Sequence, residues 1–219
     1  MFEKKVQLTE KDRQILAEKK KNCAVIGKRV FILFLIMIAS VFLNIASLIA
    51  TRSSDAKALL NGISIASLVL CVPYVIVLIS LGKFNKDFRL SGFAYILYMI
   101  ASTFQSMMHL GLYGMFTALV IFLQVAQIVY LCSAMESVLN EVDGYLGESW
   151  VSLKKAFQFV MASWVVCSLL MLVYVLSGIF ALVVFVLAIA SVILSIWQLV
   201  LLLRTARSMT DYSRVSVTN

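Results

Sequence analysis

Residues 156–203 read AFQFVMASWVVCSLLMLVYVLSGIFALVVFVLAIASVILSIWQLVLLL, a stretch without a single Asp, Glu, Lys or Arg. In water this stretch would expose a continuous apolar surface, so a lipid bilayer is its natural solvent. As one helix it would be about 70 Å long, more than twice the ~30 Å hydrocarbon core of a bilayer. The stretch therefore predicts two membrane spans, and Ser177-Gly178 is the expected hinge between them.

The rest of the chain has the same apolar character. Of its 219 residues 62 % are hydrophobic, and the mean hydropathy is +0.99, whereas roughly half of the residues in a soluble domain are apolar. Runs of about 20 apolar residues are long enough to cross a bilayer as helices. The predicted spans are residues 30–50, 58–81, 93–110, 115–134, 156–177 and 179–203. The predicted fold is thus all-α, a polytopic membrane bundle of six transmembrane helices.

Positive charge orients these spans. An even number of crossings puts both termini and the segments 82–92 and 135–155 on one side of the membrane. All but two of the 19 Lys and Arg residues lie on that side, the exceptions being Arg52 and Lys57. Because short flanking segments rich in Lys and Arg stay in the cytoplasm, both termini are expected there. The expected location is the plasma membrane.

The net charge of +8 follows from the same asymmetry. A basic segment beside the first span is attracted to anionic lipids of the inner leaflet, and topology is its first role. The lipid bilayer is therefore the expected partner of this charge, and nucleic acid is not.

Three parts make up the expected domain organisation. They are a basic cytoplasmic segment of residues 1–29, a transmembrane domain of residues 30–203 and a cytoplasmic tail of residues 204–219. A capping pattern of Thr9 with Asp12 predicts a short polar helix from Glu10 to about Asn22. Between the fourth and fifth spans, the loop 135–155 repeats apolar residues at helical spacing. That spacing predicts an amphipathic extension of the fourth span, which turns at the glycines that follow.

The loop 135–155 also carries four acids on a side of the membrane that is otherwise basic. These acids are Glu136, Glu141, Asp143 and Glu148. One interpretation pairs them inside the chain with Lys83, Lys86 or Arg89. The other interpretation makes them the docking site of a protein partner.

Polar side chains recur on one face of most spans. In a bilayer, small and polar residues mark helix contacts, because lipid supplies no hydrophobic drive between helices. The candidate set is Asn44, Tyr98, Ser102, Gln105, Gln124 and Gln127. These residues are either interhelical hydrogen-bonding groups or a binding or permeation site for a neutral or weakly polar solute. Ions are disfavoured because no span carries a carboxylate to pair with them.

Folding the third span onto the fourth would bring several of these residues together. A tight turn is expected at residues 111–114, which read Gly-Leu-Tyr-Gly. At 1.5 Å per residue, that turn places Tyr98 level with Gln127, and it places Gln105 and Gln124 near the same midplane.

Motifs for catalysis, cofactors and metals are missing from the sequence. There is no HExxH, no paired intramembrane aspartates and no glycine-rich phosphate loop. His109 is the only histidine, and the methionines around it lack the repeated spacing of a soft-metal site. We therefore expect no enzymatic activity, no cofactor and no bound metal.

Two function hypotheses from different classes follow. The first is a transport-related protein: a channel, a carrier or a solute-binding membrane subunit. The alternative is a non-transporting scaffold or accessory subunit that docks a protein partner through its cytoplasmic segments. Association with further copies of the chain is compatible with either.

Overall fold

The computed structural model describes residues 10–50, 56–107, 110–170 and 177–215, and these residues form six α-helices. In chain order they are α1 (Glu10–Ala50), α2 (Ala56–Leu81), α3 (Lys86–Met107), α4 (Leu110–Leu139), α5 (Gly144–Leu170) and α6 (Ser177–Arg214). Each predicted span has a helix of its own, so the all-α prediction is confirmed.

The helices form a closed ring. Each helix packs against its neighbours in the chain, and α6 also packs along α1. Contacts across the pairs show that neighbours run antiparallel: Ser91 on α3 donates to the carbonyl of Gln127 on α4 at 2.9 Å. Likewise Trp150 near the start of α5 donates to Thr205 near the end of α6 at 2.9 Å. The architecture is an up-and-down bundle of six helices around a common centre.

One end of the ring carries most of the charge. This charged end holds the N-terminal half of α1, the turns before α3 and α5, and the last turns of α6. Two side-chain contacts join neighbouring helices there. Arg29 on α1 donates to the carbonyl of Ser80 on α2 at 2.7 Å, and Lys154 on α5 pairs with Glu136 on α4 at 3.0 Å.

Local sequence explains where the helices begin at the charged end. Asn85 accepts a hydrogen bond from the backbone N–H of Asp87 at 2.8 Å, which caps α3. Asp143 accepts one from the N–H of Leu146 at 3.1 Å, which caps α5. Two short polar turns thus set both helix starts.

The tightly packed core lies next to the charged end and not at the middle of the bundle. Large apolar side chains from all six helices are almost completely buried there. They include Leu33, Leu78, Leu81, Phe88, Leu131, Met135, Leu139, Trp150, Leu153, Leu201 and Leu202. We call these eleven residues the floor. The outer faces of the helices show large aliphatic side chains instead, as expected where lipid surrounds a bundle.

Four helices of the described residues are long and apolar enough to cross a membrane. The segments are Glu10–Ser47, Gly62–Leu81, Leu119–Leu139 and Phe185–Arg214. The helical bundle is therefore that of a membrane protein by length and composition.

Several predicted boundaries are wrong. The short N-terminal helix is not separate, because α1 runs unbroken from Glu10 through the first span to Ala50. No proline interrupts the basic segment, so the helix continues. At the other terminus, α6 continues past residue 203 to Arg214, so most of the predicted tail is helical.

Three predicted turns also move. Residues 111–114 lie inside α4, which begins at Leu110, so the third and fourth helices meet earlier than the glycine pair suggested. Ser177-Gly178 forms the first residues of α6 and is therefore not a hinge outside the helices. Gly144 begins α5, so the chain turns at residues 140–143. In each case glycine is tolerated in the first turns of a helix, where it costs only about 1 kcal/mol relative to alanine.

The close packing of α1 against α6 at Gly27 can be tested by substitution. A Cβ atom there would lie 3.1 Å from the carbonyl oxygen of Ala206 and 2.9 Å from Thr210 Oγ1, so α1 and α6 would have to separate. We expect Gly27→Val to reduce the free energy of unfolding by about 1–3 kcal/mol through overpacking. The measurement is the Tm of the purified protein in detergent.

The matched control for that change is Gly62→Val on α2. A Cβ atom at Gly62 meets nothing within 4 Å, so this variant should keep the parent Tm. Equal losses of Tm in both variants would contradict a close α1–α6 contact at Gly27.

Candidate binding cavity

A cavity of about 290 Å³ lies in the middle of the ring, on the far side of the floor from the charged end. All six helices contribute to its wall. The lining residues are Ile36, Met37, Ser40, Asn44, Leu70, Tyr74, Tyr95, Tyr98, Gln124, Gln127, Ile128, Phe157, Ser195 and Gln198. The closed ring therefore creates the cavity, because no pair of helices encloses it alone.

Three tyrosines cluster on one wall of the cavity. The rings of Tyr74 and Tyr95 have centroids 4.7 Å apart, and those of Tyr95 and Tyr98 are 5.9 Å apart. Gln127 donates its side-chain amide to the hydroxyl of Tyr74 at 2.8 Å. The hydroxyl of Tyr95 meets the thiol of Cys71 at 3.2 Å. Helices α2, α3 and α4 thus share one aromatic and amide network.

Three other amides of the lining, those of Asn44, Gln124 and Gln198, are less committed to the protein. Gln198 makes only a long contact of 3.9 Å to the sulfur of Met37. The side chains of Asn44 and Gln124 make no hydrogen bond to another residue within the described ranges. Since a membrane-embedded amide gains from a partner, a polar ligand in the cavity would satisfy these groups.

The cavity is polar without being charged. None of the described residues that line it is Asp, Glu, Lys, Arg or His. Its polar atoms are amides, hydroxyls and phenols, which can donate and accept hydrogen bonds. An ion would lose its hydration there without gaining a counter-charge, whereas a neutral solute would not.

Exposure of the lining residues decreases toward the charged end. Asn44 and Ser195 are exposed, Gln124 is partly exposed, and Gln127 and Gln198 are only 7 % and 5 % exposed. Beyond them the floor is sealed. The floor thus closes the cavity toward the charged end, and the lining residues farther from that end are more exposed.

The structure brings four of the six sequence-predicted site residues together. Asn44, Tyr98, Gln124 and Gln127 line the cavity. Ser102 lies on α3 away from its lining. The backbone of Gln105 belongs to α3, but its side chain lies outside the described residues.

The predicted register between α3 and α4 is wrong. Ser91, not Tyr98, lies level with Gln127, and Gln105 lies close to the α3–α4 reversal rather than opposite Gln124. Helix α3 ends at Met107 and α4 begins at Leu110, a few residues before the expected turn. The α3 residue level with Gln127 therefore moves from Tyr98 to Ser91, which is about two helical turns.

Residues that the sequence-based site did not include are Tyr74, Tyr95 and Gln198. Tyr98 belonged to the predicted set, whereas Tyr74 and Tyr95 did not, since a tyrosine in an apolar run usually marks the membrane interface. The spacing of Tyr95 and Tyr98, three apart on one helix face, is the signal that could have found them.

The four acids near residues 136–148 are mostly used within the chain. Glu136 pairs with Lys154 at 3.0 Å, and Glu141 pairs with Lys19 at 2.5 Å. Asp143 accepts hydrogen bonds from the backbone of α5 and from the hydroxyl of Ser208. The interpretation of internal pairing is right for two acids, but their partners are not the predicted Lys83, Lys86 or Arg89.

The Lys19–Glu141 pair lies outside the spans and has an electrostatic signature. The hydrogen bond and charge of Lys19 lower the pKa of Glu141. The hydrogen bond from the same contact raises the pKa of Lys19. The pair therefore joins α1 to the α4–α5 turn at neutral pH and loses its attraction as the pH falls through the pKa of the carboxylate.

No group of three or more His, Cys, Asp or Glu within the described ranges is arranged to hold a metal ion. His109 lies outside the described residues. Four free thiols are present, and Cys23, Cys132 and Cys167 are buried.

Comparisons with protein families, with curated proteins and with solved structures gave no match to this chain.

Access to the cavity predicts an order of thiol reactivity. In a Cys71→Ser background, Asn44→Cys and Ser195→Cys should react with a membrane-impermeant maleimide added outside intact cells. Leu33→Cys and Leu201→Cys on the floor should not, because both side chains are 1 % exposed. Mass spectrometry of the purified variants measures the labelling. Equal labelling of the floor and cavity positions would contradict a cavity closed toward the charged end.

Proposed function

We propose that this protein is a transport-related membrane protein that binds a neutral or weakly polar solute in its central cavity. The observation that supports this most strongly is the cavity itself, which is lined by six helices, polar, uncharged and closed at one end. Ligand pockets in proteins begin near 300 Å³ and combine apolar walls with a few placed polar groups. A cavity of about 290 Å³ with this lining suits a small solute.

We also propose that the chain crosses the plasma membrane six times, with both termini in the cytoplasm. Helices α3 and α5 lie antiparallel between more apolar neighbours. At 22 and 27 residues, they are about 33 and 40 Å long, enough to cross the ~30 Å core. The basic residues at the charged end then face the cytoplasm, as the charge distribution predicts.

For a bound solute to cross the membrane, the closed end of the bundle has to open after the solute has entered the cavity. The floor and three side-chain contacts at the charged end stabilise the observed state. The contacts are Arg29 with Ser80, Lys154 with Glu136, and Lys19 with Glu141. The first two contacts join neighbouring helices, and the third joins α1 to the α4–α5 turn across the ring, so a motion that separates them would open a cytoplasmic path. In this proposal the observed arrangement is the state open to the outside.

Our proposal assigns binding and passage, with no chemical step. The lining supplies hydrogen-bonding groups but no nucleophile beside a base. The alternative scaffold role would use the acids as a free docking patch. Because Glu136, Glu141 and Asp143 are engaged within the chain, that role has less support.

Cavity amides provide the direct test of solute binding. A thermal-shift screen of uncharged sugars, polyols, amides and aromatic alcohols should find solutes that raise the Tm of the purified protein. Gln124→Leu combined with Gln198→Leu should weaken binding of such a solute by roughly 10–100-fold, since each change removes a hydrogen bond in a desolvated site.

The matched control is Gln158→Leu, which replaces an exposed glutamine of α5 outside the cavity. It should leave solute affinity unchanged. If no solute in the panel shifts the Tm, or if the control weakens binding as much as the cavity variant, the proposed cavity function is wrong.

Orientation has its own test. A protease site and tag placed after Asn219 should be cleaved in inverted membrane vesicles and protected in intact cells, because six crossings return the C-terminus to the cytoplasm. Cleavage by protease added outside intact cells would contradict an even number of crossings.

A further inference from the structure

A second polar pocket lies at the charged end, away from the central cavity. It has a volume of about 310 Å³ and is lined by Asp143, Tyr145, Leu146, Arg204 and Arg207. The first three residues lie at the start of α5, and the two arginines lie near the end of α6. The pocket therefore sits where two helices meet, and we call it the α5–α6 pocket.

The arginines of this pocket form no ion pair with any residue that the structure describes. Arg204 and Arg207 are three residues apart, so they share one face of α6. Both are exposed, and within the described ranges neither forms an ion pair or a side-chain hydrogen bond. Other cations of the charged end, such as Lys19 and Lys154, do have partners. Two adjacent guanidinium groups are thus left to bind an anion from outside the chain.

The one carboxylate in the pocket does not neutralise them. One oxygen of Asp143 accepts the N–H of Leu146 at 3.1 Å. The other accepts the hydroxyl of Ser208 at 3.2 Å. Asp143 is thereby directed toward the α5 backbone and α6, and the lining keeps two positive charges against one negative charge.

The position of the two arginines along α6 indicates which anion is available to them. Arg204 follows directly on the apolar run that ends at residue 203, so it lies at the level of the lipid headgroups. Tyr145 is 78 % exposed on the same side, and exposed tyrosines are enriched at the membrane–water interface. A planar guanidinium binds a phosphate through two parallel hydrogen bonds, which suits this pair.

We propose that Arg204 and Arg207, with Tyr145 beside them, bind the phosphate group of an anionic phospholipid from the leaflet at the charged end. The bound headgroup bridges α5 and α6 next to the buried Trp150–Thr205 hydrogen bond. Its binding therefore stabilises the closed end of the ring. This site does not depend on what the central cavity binds.

The test uses the full-length protein in a nonionic detergent. Short-chain phosphatidylglycerol is titrated in, with phosphatidylcholine of the same acyl chains as the zwitterionic comparison, and the Tm is followed. We expect the parent protein to be stabilised more by phosphatidylglycerol. Arg204→Gln combined with Arg207→Gln should weaken the phosphatidylglycerol effect by roughly 10–30-fold in affinity.

The matched control removes the same charge elsewhere at the charged end. Lys155→Gln combined with Arg214→Gln replaces two exposed cations outside the pocket and should retain the lipid preference. If the control loses as much affinity as the arginine variant, or the parent shows no preference for phosphatidylglycerol, a specific site is ruled out.

Two further arms complete the test. Arg204→Lys combined with Arg207→Lys keeps the charge but removes the planar fork, so its affinity should fall between those of the parent and the glutamine variant. It also serves if the glutamine variant does not fold, and a parent-like affinity would then overturn the role of the guanidinium fork. Inorganic phosphate at millimolar concentration should not raise the Tm. A rise that the arginine variants lose would assign the site to free phosphate and overturn the lipid.

Discussion

The contact between α1 and α6 turns a row of antiparallel helices into a ring. Five sequential helix pairs would leave an open, curved layer with both edge helices facing lipid. At Gly27 the two helices come so close that a Cβ atom would meet the backbone of α6. Such approaches are how helices associate in a bilayer, where packing and hydrogen bonds replace the hydrophobic drive. Because all six helices line the central cavity, the cavity exists only if this contact holds.

The charged end and the middle of the ring are stabilised by different interactions. At the charged end, water and lipid headgroups allow ion pairs and capped helix starts, and the floor fills the space between helices with large apolar side chains. Toward the middle, smaller and polar side chains such as Ser40 and Asn44 take over on α1, and space remains between the helices. The bundle is therefore sealed at one end and hollow in the middle. That asymmetry gives the proposed solute site a direction.

The described residues that line the cavity include many polar side chains and no charged ones. The tyrosine cluster and the amides of Gln124, Gln127 and Gln198 put many donors and acceptors into a volume that helix packing alone would fill with aliphatic residues. Polar groups in hydrocarbon are costly unless they are bonded. Tyr74 and Gln127 satisfy each other, and in the proposed function the less committed amides of Asn44, Gln124 and Gln198 hold a neutral ligand. The anion pocket at the charged end differs in kind, because its arginines face headgroups and not the ring centre.

Sequence alone predicted the elements: a bilayer satisfies no backbone hydrogen bonds, and an apolar run of about 20 residues satisfies its own when it forms a helix. It also picked out Asn44, Tyr98, Gln124 and Gln127, because polar residues in apolar runs are conspicuous. Tertiary structure decided the rest. The turn between α3 and α4 was misplaced by a few residues, since glycine enters a helix start at small cost. That misplacement alone changed which side chains face each other. Closure by α6, the floor and the meeting of Tyr74 with Gln127 depend on contacts between residues far apart in the chain, which periodicity along one helix does not encode.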